Sequence, residues 1–97
     1  MTDKKHPMLG RHCIIRTYSA GVHIGIVNYV EGMEVHLTDA LRLWSWEGGG
    51  LSLSAIAQVG MKGGRVDRTR EVYLTNVIEI IPTTEDARKT YGRFIEK

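Results

Sequence analysis

The chain has 97 residues, 42% hydrophobic and 25% charged, with 11 glycines and 2 prolines, which is ordinary globular usage and about enough for one domain of 100 residues. Its net charge of +2 does not by itself advertise nucleic-acid binding. No apolar run approaches the roughly 20 residues of a membrane span, the polar residues 1–11 lack a signal-peptide hydrophobic region, and the single Cys13 excludes an internal disulfide framework. A cytoplasmic protein without membrane contact is expected, with a flexible start at 1–8 and one small β-rich domain over 9–97.

In chain order, His12 to Tyr18 and Val22 to Val30 are rich in β-branched residues and flank Ser19-Ala20-Gly21, which predicts a hairpin. A turn at Glu31-Gly32 leads into Met33 to Leu37, whose alternation of apolar and polar residues has the period of a half-buried strand. Thr38 to Trp46 carries apolar bulk at both parities and is read as a fourth strand kinked near Asp39. After Gly48-Gly49-Gly50, Leu53, Ile56 and Ala57 recur at helical spacing between a capping Ser52 and a stopping Gly60, so a short helix is expected over 52–59.

The polar, basic and glycine-bearing stretch Met61 to Arg70 is read as an exposed loop or mobile hairpin tip. Strand composition returns from Glu71 to Ile81, with an interruption at Thr75-Asn76 and a stop at Pro82. Thr83 and Asp86 approximate a capping box for a helix over 84–91. Strands first, with one inserted and one terminal helix, predict an α+β fold, mainly antiparallel β: a small bent sheet or an SH3/Sm-like half-barrel. A core this small is marginal alone, so a homo-oligomer is expected.

Three segments taken together, RTYSAGVHIG (16–25), ALRLWSW (40–46) and LTNVIEIIP (74–82), resemble an uncharacterised family of small bacteriophage proteins over roughly residues 9–87. The resemblance implies a phage source but no activity. Family members commonly read ARRIWYW in the second segment, so Arg42, Trp44 and Trp46 match while Leu41, Leu43 and Ser45 depart.

Those three matching residues share one face if the strand is regular, because alternate side chains project the same way. A guanidinium beside two indoles can stack on a nucleobase and pair with phosphate; the alternative is that the indoles fill the core and Arg42 reaches outward. Gly49 and Ser52 border a possible helix N-terminus whose amides could take an anion, or simply form a turn. Tyr18, Ser19 and His23 add hydroxyls and an imidazole near the first turn, and His12, His23 and His36 are each a near-neutral titrating group without a partner acid in sequence.

Residues 51–70 carry Lys62, Arg65, Arg68 and Arg70, of which Arg65 and Arg68 are candidate phosphate contacts, against the alternative of a solvated loop. Nothing nominates a nucleophile, metal cage or cofactor. The expectation is therefore a non-enzymatic phage protein that sequesters a small nucleotide-derived ligand, such as a cyclic oligonucleotide immune signal. Two alternatives are a single-stranded nucleic-acid-binding module and a protein that docks on and inhibits a host factor.

Overall fold

A computed structural model describes residues 6–48 and 52–95. Five strands form one antiparallel sheet in the order β4-β3-β2-β1-β5: β1 His12–Thr17, β2 Val22–Glu31, β3 Glu34–Gly48, β4 Met61–Leu74 and β5 Val77–Pro82. Helix α1, Leu53–Val59, joins β3 to β4, and α2, Glu85–Tyr91, follows β5 and runs into a 3-10 turn at Gly92–Phe94. The fold is thus the expected small α+β domain, built on an open sheet.

Alternation along β1 divides the core. Ile14 points to the face covered by the helices, where it meets Ile24, Leu43, Ile56, Val66 and Tyr91. Cys13 and Ile15 point the other way, toward Val27, Val35, Leu37 and Leu74. Among the described residues, no helix lies on that second face. It is closed by the curl of the sheet and by Met8 and Leu9, so the start of the chain from His6 onward is a turn held by Leu9 N–H on the His6 carbonyl at 3.1 Å, while residues 1–5 of the expected flexible start lie outside the described residues.

The curl has a local cause. Register shifts fall in β2 between Ile24 and Ile26 and in β3 on either side of Ala40, and Asp39 and Arg70 adopt positive φ of 50° and 66°. These positions lie side by side across three strands, so the sheet folds along one line, as bulges do. Gly25 sits in that line because a β-carbon there would lie 3.0 Å from the Thr38 carbonyl oxygen and 3.2 Å from the Ala40 Cα. The expected kink near Asp39 is present, although the two strands expected on either side of it are the one bent strand β3.

Met61 to Arg70 departs from its expected loop. It is the first part of β4, paired with β3 from Gly48↔Met61 to Val35↔Leu74. Its basic residues are polar because β4 is an edge strand, while the apolar residues needed to seat it, Met61 and Val66, are buried. Edge strands with charged outer positions resist pairing with other chains, and the same pattern read in sequence mimics a loop.

Both short helices are fixed by capping and by each other. Ser52 Oγ accepts from Ala55 N–H at 3.1 Å, as expected. The cap of α2 is Thr84, one residue later than expected, because the Thr83 hydroxyl instead donates to the His12 carbonyl at 2.9 Å. Thr84 Oγ1 in turn donates to Gln58 O at 2.8 Å, and Tyr91 Oη to Ile56 O at 2.5 Å, tying the ends of α2 to α1.

Candidate functional site

The Arg42, Trp44, Trp46 set does not stay on one face. A register shift between Leu43 and Ser45 places an extra residue in β3, and one extra residue reverses the parity of everything after it. Trp46 therefore packs against the helix-side cluster with Leu43, whereas Trp44 is half exposed on the opposite face, with the Arg42 guanidinium carbon 4.8 Å from its ring centroid.

Around Arg42 several polar groups are paired, while His23 Nδ1 is buried without a hydrogen-bond partner among the described residues. Arg42 Nη2 donates to the Ala20 carbonyl at 2.9 Å, His23 Nε2–H donates to the same oxygen at 2.9 Å, and Trp44 Nε1–H donates to Asp67. His23 is buried, and burial, followed by the Arg42 charge, pushes its pKa below the ordinary 6.5 against the opposing effect of its bond to Ala20. It is a neutral brace for the first turn. Ser19 Oγ accepts from Asn76 Nδ2 at 2.6 Å, and Tyr18 is 82% exposed.

The expected residues Trp46 and Ser52 do come together on the helix face. They line a cleft of about 400 Å³ with Arg16, Val22, Leu53 and Glu79. Its floor is apolar, and its rim carries the Ser52 and Ser54 hydroxyls and a guanidinium. Arg16 Nη1 donates to Glu79 Oε1 at 3.1 Å, with both side chains nearly half exposed. A surface pair of this kind is worth about 0–1 kcal/mol, so the guanidinium can exchange that partner for another anion at little cost. Helix α1 has only seven residues, and its cap is already satisfied by Ser52, so the expected anion site at its N-terminus is not what defines this cleft. Gly49 lies outside the described residues.

Arg68 faces a separate cavity of about 180 Å³, shared with His12, Asp39 and Arg88. Arg65 pairs in register with Ser45 on the outer part of β4 and lines neither space. Sequence reasoning names His12 only as one of three histidines and assigns Arg16, Asp39 and Arg88 to no site. Their signal was positional: His12 and Arg16 share the parity of Ile14, which becomes decisive once Ile14 is known to face the helices. Among the described residues, no group of three or more His, Cys, Asp or Glu could hold a metal ion, and no helix is long and apolar enough to cross a membrane.

A family model described as a domain of unknown function, DUF6948, matches residues 10–91. The chain belongs to this family. The DUF6948 match spans all five strands and ends at the last residue of α2, so both the Trp46 cleft and most of the His12 cavity are built from family residues. No curated protein and no solved structure matches the chain.

Proposed function

We propose that this is a non-enzymatic, phage-encoded protein that captures a small nucleotide-derived ligand, of the cyclic oligonucleotide immune-signal class, in the Trp46 cleft and so removes it from the cytoplasm of an infected host. The observation that carries the reading is the convergence of Trp46, Ser52 and the exchangeable Arg16 guanidinium around one space of about 400 Å³, within the range of about 300–1,000 Å³ typical of small-molecule pockets. The indole offers a stacking face for a base, and Arg16 offers a fork of donors for a phosphodiester. The phage source rests on the three-segment resemblance. Assembly as a homo-oligomer and the SH3/Sm-like character of the bent sheet belong to the same proposal.

The two tryptophans allow the site to be tested directly. In Trp44→Phe protein, titration with a panel of cyclic di- and trinucleotides is expected to change the emission of Trp46, while in Trp46→Phe protein the emission of Trp44 stays constant. Arg16→Gln should weaken binding about 10- to 100-fold, the worth of one charge-assisted hydrogen bond. Glu79→Gln should strengthen it, because the carboxylate competes with the ligand for Arg16. Absence of binding heat across the panel, or weaker binding in Glu79→Gln, would overturn the reading.

A further inference from the structure

The cavity between β1, β3, β4 and α2 lies apart from the Trp46 cleft and carries its own chemistry. Its volume of about 180 Å³ is below the about 300–1,000 Å³ of ordinary small-molecule pockets but holds several waters at about 30 Å³ each, the scale of a tetrahedral oxyanion. Arg68, Arg88, His12 and Asp39 line it together with Leu41 and the ring of Tyr91. The Arg88–Asp39 contact is 3.6 Å, well beyond the about 2.7–2.9 Å of a short charge-assisted bond, so most of the Arg88 fork remains available. Two guanidiniums against one carboxylate leave a positive excess, which selects an anion.

The imidazole then decides which anion. The Thr83 hydroxyl reaches both the His12 carbonyl at 2.9 Å and His12 Nδ1 at 2.6 Å, and with its one proton on the carbonyl it accepts from Nδ1. That arrangement is the Nδ1–H tautomer, which leaves a lone pair on Nε2. Thr83 lines the groove on one side of the ring and is absent from the cavity on the other, so Nδ1 is held on the groove side and Nε2 lies away from it. The ring is stacked on Tyr91 at 5.9 Å between centroids, which holds that orientation.

We propose that this cavity is a receptor for a protonated phosphate, either inorganic phosphate or a terminal phosphomonoester, whose oxygens take the Arg68 and Arg88 donors while its P–OH donates to His12 Nε2 or Asp39. Sulfate and phosphodiesters have the same tetrahedral shape but no proton to give at neutral pH, so the two acceptors reject them, as a site built to receive a hydrogen bond rejects an analogue lacking the donor. The imidazole stays an acceptor because burial first, and the Arg88 charge second, lower its pKa to about 4, with Asp39 opposing. Arg68 faces it from β4, Tyr91 from α2, and Arg11 and Glu85 across the Thr83 side.

The test is a titration of the whole protein at pH 5.5, where His12 is neutral and a monoester, with a second pKa near 6, is largely protonated. The His12 Cε1–H resonance is followed on addition of inorganic phosphate, phenyl phosphate, dimethyl phosphate or sulfate. Inorganic phosphate or phenyl phosphate is expected to give a saturable shift at least tenfold tighter than sulfate or the diester, and whichever of the two binds more tightly identifies the source. Arg68→Gln, at an exposed position, should weaken it at least tenfold, and phenyl phosphate affinity should fall as pH rises above about 6. Equal affinity for phosphate and sulfate, or no saturable shift at His12 up to tens of millimolar, would overturn the proposal. Trp46 emission does not report on this cavity, so its outcome and that of the cleft are read separately.

Discussion

His12 is a half-buried and His23 a buried imidazole, and burial lowers the pKa of both, which has a thermodynamic sign. His12 has a folded pKa of about 4 against 6.5 when unexposed to the fold, so between these values the unfolded chain binds a proton that the native protein refuses. Stability contributed by the neutral ring is complete above about pH 6.5 and is lost as pH falls toward 4. His12→Asn keeps an amide donor for Thr83 but cannot titrate. Urea unfolding at pH 7 and pH 4.5 should therefore show the wild type losing about 2 to 3 kcal/mol more than the variant over that interval. A wild type and variant that lose stability in parallel would mean that His12 is solvated in the native state. His23 shifts in the same direction, contributes equally to both proteins, and does not confuse the difference.

At the scale of the element, the decisive feature is the extra residue in β3 that sends Trp44 and Trp46 to opposite faces. Gly64 makes it possible: it has φ +138°, and a β-carbon there would lie 2.3 Å from the Ser45 carbonyl oxygen and 2.9 Å from the Trp46 Cα. Both neighbours are backbone and cannot swing aside. Gly64→Ala is expected to destabilise by about 1–3 kcal/mol, the usual cost of forced overpacking, and to shift Trp46 emission in a Trp44→Phe background. An unchanged melting temperature with unchanged emission would show that the bulge relaxes freely. The same feature explains what the sequence could and could not disclose. The β1–β2 hairpin, the bend at Asp39, the Ser52 cap and the stop at Pro82 are legible because each is written in a residue with a local conformational preference. The bulge is a matter of register against β4, and β4 itself has few apolar residues because it borders the sheet, so neither leaves a local signature. The site inherited both errors: a straight β3 groups Arg42 with two indoles, and a loop at 61–70 hides that Arg68 faces His12.

At the scale of the whole molecule, two cores lie back to back on one sheet and share its strands. Ile14 and Ile15 of β1, Ile24 and Val27 of β2, and Leu43 and Leu37 of β3 each divide between the two clusters. The ends of the sheet are also tied: Val77 N–H donates to the Met33 carbonyl at 2.9 Å, joining the β2–β3 turn to β5, and Val66 of β4 bridges to Ile95 after the 3-10 turn. A strand cannot leave one core while keeping its place in the other, since register on one face fixes register on both. Unfolding should therefore be a single transition. Leu37→Ala, in the core remote from both helices, is expected to cost about 2–5 kcal/mol and to lower by the same amount the midpoint read from Trp46 emission on the helix face and that read from far-ultraviolet circular dichroism. If Trp46 kept its wild-type midpoint while circular dichroism shifted, the helix-side core would be an independent unit. Both clefts would then stand on a foundation separate from the curled arm, and the shared-strand argument would fail.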